Sequence, residues 1–276
     1  MKVASVLAVG GLDPSGGAGL GMDRVTAAAR GVWCRMIATT LTAQNGQTFG
    51  GSWPVPPEAL RAQLDAALDD AGVHAIKIGA LPNRAAVEIV GDAVASSGLP
   101  TVLDPVLRTS SGGDLIDDEG RQALQERLLP RMTLVTPNRM EAAVLTSSSL
   151  ADVQADPVRA AHALLRSGAR AVLLKGGHDE GHEAVDWLVT EQSSRALKTR
   201  RLDTRNARGT GCSLATAIAS ELALGRDLDA AVDAAKAWFD ATFAQGVDFD
   251  FGTSPGPLPV LGDGLRERQA DGGQGR

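Results

Sequence analysis

Short apolar runs and amphipathic segments take turns along most of the chain. Residues 3–9 are apolar and stop at Gly10-Gly11, as a buried strand would. Residues 20–30 are alanine-rich and helical in character, with Gly31 placed as a C-terminal cap. Residues 33–41 read as a second strand, followed by a loop through Gly46, Gly50 and Gly51 and a helix over 57–71 with Pro57 in its first turn. Further short β-like runs fall at 74–78, 101–103, 134–136 and 171–174, with helices at 84–96, 118–128 and 157–167 between them. Residues 185–189 and 196–202 read as a strand pair around the polar turn 191–194, and helices over 210–224 and 228–245 complete the pattern. The stretch 263–276 is rich in Gly, Arg and Gln and is expected to be a disordered tail behind one domain over 1–262.

Strands alternating with helices predict βαβ units, a mostly parallel sheet and helices on both its faces. Ligands of such sheets sit at the carboxyl ends of the strands, near the point where the strand order reverses. The residues expected there are Gly10-Gly11, Thr42-Ala43-Gln44-Asn45, Lys77-Ile78-Gly79, Asp104-Pro105, Thr136-Pro137-Asn138 and Lys175-Gly176-Gly177-His178. That set is polar, charged and glycine-rich, which suits a site better than a core.

The chain has 276 residues, with 43% hydrophobic and 22% charged, an ordinary globular balance that argues against disorder. Aromatics are only 3% with no Tyr, so Ala, Val and Leu must fill the core. With 27 Lys+Arg against 33 Asp+Glu the net charge is −6, which disfavours nucleic acid as a partner. Small anionic substrates need only local positive groups and stay open. Two cysteines, Cys34 and Cys212, cannot make a disulfide framework, so a reducing cytoplasm is expected. The apolar run after Lys2 is too short for a signal peptide, and none approaches the ~20 residues of a membrane span.

Four segments carry candidate chemistry. Residues 10–19 hold five glycines between a strand and a helix, suited to close backbone approach to a ligand, although a flexible turn explains them too. They match neither the dinucleotide fingerprint nor the P-loop. Arg208-Gly209-Thr210-Gly211-Cys212 leads into a helix, where free N–H groups and the helix dipole make an anion site. A thiol there is expected to have a lowered pKa and to serve as base or nucleophile, against the alternative of a small buried hydrophobe. Cys34 has no such context and is expected to pack in the core. Asp104 after one strand, and Asn138 and Glu141 after another, suit water-mediated Mg²⁺, while helix capping alone explains the last two. Lys175 ends a strand before two glycines and can reach a phosphate. His74, His162, His178 and His182 have no metal-ligand spacing, so no zinc site is expected.

Taken in order, Asp13-Pro14-Ser15-Gly16-Gly17-Ala18-Gly19, Thr42-Ala43-Gln44-Asn45, Lys77-Ile78-Gly79, Leu103-Asp104-Pro105-Val106, Thr136-Pro137-Asn138 with Glu141, Lys175-Gly176-Gly177-His178 and Gly209-Thr210-Gly211-Cys212 resemble the hydroxymethylpyrimidine/phosphomethylpyrimidine kinases of thiamine biosynthesis, in the ribokinase-like superfamily. The resemblance runs over about residues 3–244. It implies a three-layer α/β/α fold and Mg·ATP-dependent transfer of the γ-phosphoryl group to 4-amino-5-hydroxymethyl-2-methylpyrimidine and to its monophosphate. It places Gln44, Gly11 and Asp23 at the pyrimidine, where an amide can both donate and accept. It makes Cys212 the catalytic base, the 209–212 amides the anion hole, and Lys175 a phosphate cation. Asp104 and Glu141 would organise Mg²⁺ through water, and Asn138 would support the nucleotide phosphates. A homodimer is implied as well. The chain departs from the family pattern at Gly21 and Met22, at Val25, at Ser110, at Ala80-Leu81 and at Arg208, where the family has His. A pyridoxal-type kinase of the same superfamily and a catalytically silent pyrimidine sensor are the alternatives.

Overall fold

A computed structural model of the chain describes residues 3–69, 72–109, 112–177, 181–247, 249, 251, 252 and 254–260. Its strands are β1 (Ser5–Leu12), β2 (Trp33–Gln44), β3 (Phe49–Pro54), β4 (Ala75–Ile78), β5 (Thr101–Leu103), β6 (Leu134–Val135), β7 (Ala171–Leu174), β8 (Glu183–Thr190) and β9 (Ser194–Arg200). Its helices are α1 (Gly19–Ala29), α2 (Pro57–Asp69), α3 (Arg84–Ser97), α4 (Asp118–Ala123), α5 (Arg139–Leu145), α6 (Leu150–Ala155), α7 (Pro157–Arg166), α8 (Thr210–Ala223) and α9 (Leu228–Gln245), with α4 running on into a π turn over Leu124–Leu128.

The strands form one sheet in the order β3-β2-β1-β4-β5-β6-β7-β8-β9. From β2 to β7 neighbouring strands are parallel, and β3, β8 and β9 extend the two edges in antiparallel pairing. Neighbouring residues on each parallel strand point to opposite faces, and both are apolar because helices cover both faces. Leu7, Ile76, Leu103, Val135 and Val172 meet residues of α2, α3, α5 and α7 on one side. Val6, Ala75, Val102, Leu134 and Ala171 meet α1, α8 and α9 on the other. The fold is thus a three-layer α/β/α sandwich. The alanine content noted in the sequence is spent on α8, whose Ala215, Ala217 and Ala219 are fully buried and let that helix lie close to the sheet.

Polar residues close the helix ends. Asn83 accepts the Ala86 N–H at 3.0 Å, and α3 ends on Gly98 with φ 62°. Asp227 caps α9 through the Ala230 N–H at 2.8 Å. From β1 the chain goes out to β2 and β3, then crosses back to β4 on the other side of β1, so the order reverses around β1. The crevice beyond the carboxyl ends of β1 and β4 is where such sheets bind ligands.

Several expectations from the pattern are corrected. The first strand does not stop at Gly10 but runs to Leu12, because a bulge between Gly10 and Gly11 keeps it paired with β2. The loop expected through Gly50 and Gly51 is instead the edge strand β3, paired with β2 from Thr40↔Pro54 to Gln44↔Phe49. Glycines gave it no alternation to read. Helix α6 was also not foreseen, being only six residues long. Ser110, His178 and the expected tail 263–276 lie outside the described residues. No helix among the described residues is long and apolar enough to cross a membrane.

Leu103 has no exposure, whereas Leu224, just past the end of α8, is 49% exposed. Leu103→Ala should cost about 2–5 kcal/mol in urea unfolding, and Leu224→Ala within about 0.5 kcal/mol. A cost at Leu224 as large as that at Leu103 would mean that its face is covered in solution.

Candidate active site

Two glycine-bearing turns meet at the carboxyl edge of the sheet. In the first, Asp13 folds the loop after β1 on itself: its Oδ1 accepts from the Ser15 N–H at 2.9 Å and the Ser15 hydroxyl at 2.8 Å. The loop turns back at Gly19, with φ 56°, where any Cβ would collide with the Gly11 carbonyl oxygen. The second turn is Gly209, with φ 72°, where a Cβ would collide with the Gly17 carbonyl oxygen. Only glycine fits there, both for its backbone angle and for the contact. Arg208 fastens the two turns together, with one guanidinium nitrogen 3.1 Å from Asp13 Oδ2 and 3.3 Å from Ser15 Oγ.

Each turn opens directly into a helix with no side-chain cap: α1 begins after Ala18 and α8 after Gly209. The first N–H groups of α8 therefore lack the side-chain acceptor that Asn83 or Asp227 supplies elsewhere, while the first N–H of α1, on Gly19, meets the Cys212 sulfur. Beneath the start of α8 lies a buried ion pair. Lys175 Nζ stands 2.8 Å from Asp104 Oδ1, joining the ends of β7 and β5. A Cβ on Gly211 would lie 3.2 Å from Lys175 Nζ and 3.3 Å from Asp104 Oδ2, so the bare backbone of α8 rests against the pair.

Beside this pair, Asn138 and Glu141 make a reciprocal capping box at the start of α5: Asn138 Oδ1 accepts the Glu141 N–H at 2.8 Å, and Glu141 Oε2 accepts the Asn138 N–H at 2.7 Å. Helix capping therefore occupies both side chains. Burial pushes the Glu141 carboxyl up to about 7; Lys175 works against that rise and Asp104 adds to it. The Lys175 main-chain N–H is held by the Pro137 carbonyl at 2.8 Å, which fixes the two segments side by side.

Deeper in the crevice, Lys77 is fully buried, and its Nζ lies 2.8 and 2.9 Å from the two oxygens of Asp23. Thr216 of α8 donates to the same carboxylate at 2.8 Å. Burial opposes the Lys77 charge, but Asp23, Cys212 and Asp104 outweigh it and hold the ammonium well above its ordinary pKa. Asp23 is thus a fully buried counter-ion, reached by no solvent in this state. Sequence reasoning gave Lys77 no role of its own. The available signal was a lysine inside the apolar strand Ala75–Ile78, since a buried ammonium requires a partner.

Cys212, the third residue of α8, is half-buried and free. The lowered pKa expected for it is not what the structure gives. Burial pushes the thiol up to about 11, with Asp23 and Asp104 adding to the rise, and the nearby Lys77 charge and the Gly19 N–H only partly offset it. A helix N-terminus favours thiolate, but here desolvation wins. Gln44 ends β2 three residues past Leu41, the partner of Leu12, and is half-buried beside Asn45. Thr42 ties that strand end to the first glycine turn through the Leu12 carbonyl at 3.0 Å. Gly11 is buried, and a Cβ there would lie 3.3 Å from the Thr40 methyl carbon, tighter than ordinary contact. The structure therefore gathers Asp104, Lys175, Gly211, Arg208 and Gly209 around the start of α8, with Asn138 and Glu141 alongside and Asp23 beneath.

The phosphomethylpyrimidine kinase family model matches residues 13–258. The chain belongs to the phosphomethylpyrimidine kinase family. It is 39% identical over 255 residues to the hydroxymethylpyrimidine/phosphomethylpyrimidine kinase of Rhizobium meliloti, spanning 92% of this chain and 96% of that protein. It is 40% identical over 253 residues to the enzyme of the same name from Streptomyces coelicolor, spanning 92% and 93%. Among solved structures, pyridoxal kinase of Bacillus subtilis as an ADP complex superposes with TM-score 0.84 at 29% identity, over 96% of this chain and 99% of that one. Phosphomethylpyrimidine kinase of Clostridium difficile gives TM-score 0.74 at 30% identity, over 86% and 97%. The fold is ribokinase-like and the chain is a phosphotransferase of thiamine biosynthesis.

Glu141→Gln keeps an acceptor for the Asn138 N–H but removes the buried charge. A carboxyl whose folded pKa near 7 exceeds its ordinary 4.5 keeps its proton longer in the folded chain. Its contribution to stability is present at low pH and is lost as pH rises through about 7. Melting curves of the two proteins should coincide near pH 4, below the ordinary 4.5, and by pH 8 the Gln variant should melt several degrees higher. Parallel curves across that range would refute the buried, proton-holding Glu141.

Proposed function

We propose that this chain transfers the γ-phosphoryl group of ATP to the hydroxymethyl group of 4-amino-5-hydroxymethyl-2-methylpyrimidine and then to its monophosphate, giving the diphosphate. The observation that carries this reading is the approach of Gly211 to the Asp104–Lys175 pair, with uncapped N–H groups above it. Phosphoryl transfer needs an anion site lined by fixed dipoles and cations more than it needs covalent chemistry. The 209–212 amides hold the transferring group, and Lys175 turns from Asp104 to the phosphate oxygens. Relatives solved with ADP and with AMP-PCP support ATP as the donor.

The described residues contain no cluster of three or more His, Cys, Asp or Glu fit to hold a metal ion by themselves. That fits Mg²⁺, which usually takes one or two carboxylates plus water and substrate phosphates. Asp104 and Glu141 are the two carboxylates, and Asn138 supports the nucleotide side. Held there, such an ion would supply charge neutralisation for the phosphates. Gln44 reads the aminopyrimidine edge, Gly11 gives it backbone room, and Asp23 acts from below through Lys77. The bond between the γ-phosphorus and the bridging oxygen breaks as the new P–O bond to the acceptor forms, and ADP leaves. Cys212 takes the acceptor hydroxyl proton only as thiolate, after its own proton has gone to solvent, and the Lys77 charge favours that form against the burial that opposes it.

Residues 1–262 are read as one kinase domain working in the cytoplasm, in keeping with two free cysteines. A second copy is the expected partner: Leu12, Leu41 and Trp53 line up across β1, β2 and β3, each at least 43% exposed. Such an apolar row suits an interface between chains. The higher TM-score to pyridoxal kinase favours one second reading, phosphorylation of pyridoxal.

A coupled assay with Mg·ATP and three acceptors, hydroxymethylpyrimidine, its monophosphate and pyridoxal, decides between them. Turnover of both pyrimidines is expected, with kcat falling about 10²–10⁴-fold in Cys212→Ala and at least about 10²-fold in Lys175→Ala. Pyridoxal turnover alone would favour the second reading. Tight pyrimidine binding without turnover would make the chain a sensor.

A further inference from the structure

The ladder between β7 and β8 runs from Ala171↔Thr190 to Leu174↔Trp187 and stops there. Past that end, Lys175 gives its N–H to Pro137, and the N–H of Gly176 has no strand partner. Asp186, the residue on β8 just beyond the last pair, takes its place: Oδ1 accepts the Gly176 N–H at 2.8 Å. Asp186 is 5% exposed, and its other oxygen lies 3.2 Å from Lys236 Nζ on α9. Lys236 is itself 8% exposed and also holds Asp240 at 2.8 Å, whose second oxygen accepts from the Thr199 hydroxyl at 2.7 Å. From the opposite side, Arg201 donates to the Gly176 carbonyl at 3.4 Å, to Gly181 at 3.0 Å and to the Gly177 carbonyl.

A buried carboxylate–ammonium pair is a poor device for stability, since well-packed apolar residues often do as well. What it provides is position. A charge-assisted bond to a backbone N–H is short and directional. The bond grips the peptide that follows Lys175, whose side chain reaches Asp104 at 2.8 Å. Displacement of Gly176 therefore moves the Lys175 ammonium relative to Asp104 and to the start of α8.

We propose that Asp186 is a positioning residue for the nucleotide side of the reaction, holding Lys175 in place through the Gly176 N–H, with Lys236 pairing its other oxygen. This rests on the reading of Lys175 as a phosphate cation. It also draws α9, which bears none of the residues assigned to the reaction, into the nucleotide site.

The test is a KM split in the full chain, with the dissociation constant for Mg·ATP measured by calorimetry without acceptor. Asp186→Ala should raise both the KM and the dissociation constant for Mg·ATP about tenfold while the acceptor KM stays within about twofold. Asp186→Asn keeps an acceptor but loses the charge, so it should restore most of the loss and leave a rise of about threefold. Nucleotide constants unchanged in a folded Asp186→Ala protein, or acceptor and nucleotide KM rising together, would overturn the proposal. If Asp186→Ala does not fold, Asp186→Asn decides: a rise confined to the nucleotide supports the role, and none overturns it. Lys175→Ala and the wild type separate the two readings. A wild type that binds no nucleotide, or a Lys175→Ala variant that binds it unchanged, would overturn the kinase assignment of Lys175 and this inference with it. Wild-type binding that weakens in Lys175→Ala but not in Asp186→Ala overturns this inference alone.

Discussion

The carboxyl edge of the sheet is organised by the contact between the bare backbone of Gly211 and the Asp104–Lys175 pair. Two parallel strands, β5 and β7, deliver the acid and the cation from opposite sides of β6, so the pair can form only once the sheet has assembled. Helix α8 then settles over it with no side chain between, because a Cβ on Gly211 would lie 3.2 Å from Lys175 Nζ. Such a pair is weak evidence for stability. Its consequence is placement: free N–H groups, a cation and a carboxylate share one small volume. Gly209 and Arg208 extend the same constraint to the loop after β1, since one needs the Gly17 carbonyl against its Cα and the other needs Asp13. The two glycine turns at the carboxyl edge are thereby tied to each other and to the pair beneath α8.

Charges at the carboxyl edge are nearly self-balanced. Lys77 is answered by Asp23, Lys175 by Asp104, and Arg208 by Asp13. Glu141 takes the remaining strain by holding its proton, and the Cys212 thiol stays neutral. Burial disfavours every unpaired charge here, so each ionised group has found a partner or lost its charge. A net charge of −6 is thus compatible with positive groups gathered locally at this edge, each already paired.

The pattern of apolar runs conveyed the parallel core well, because buried strands and amphipathic helices differ in period and length. It failed at β3, where Phe49-Gly50-Gly51-Ser52 offers no alternation and the strand is held by pairing with β2. The motifs at the strand ends pointed to the residues of the site, including Asp104, Lys175 and the glycines of the 209–211 turn. Their partners were not legible. Lys77 with Asp23 joins residues 54 apart, and Arg208 with Asp13 joins residues 195 apart, distances over which no local pattern speaks. The expectation of an acidic Cys212 failed for a related reason. A helix N-terminus is visible in sequence, whereas the burial that overrides it is a property of the assembled layers.

Arg208 marks where this chain differs most tellingly from the pattern it otherwise follows. A histidine at that position would be shorter and would carry charge only part of the time near neutral pH. The guanidinium is permanently charged and reaches both Asp13 and Ser15, so it cross-links the two glycine turns at every working pH. Its side chain is only 11% exposed, and the Gly17 backbone lies directly against it. A cation so enclosed cannot serve an acceptor phosphate without first leaving Asp13, whose own loop would then lose its anchor. The arrangement favours a structural task for Arg208. It follows that the departure at 208 alters the stiffness of the crevice more than its charge, since Asp13 cancels what the arginine adds.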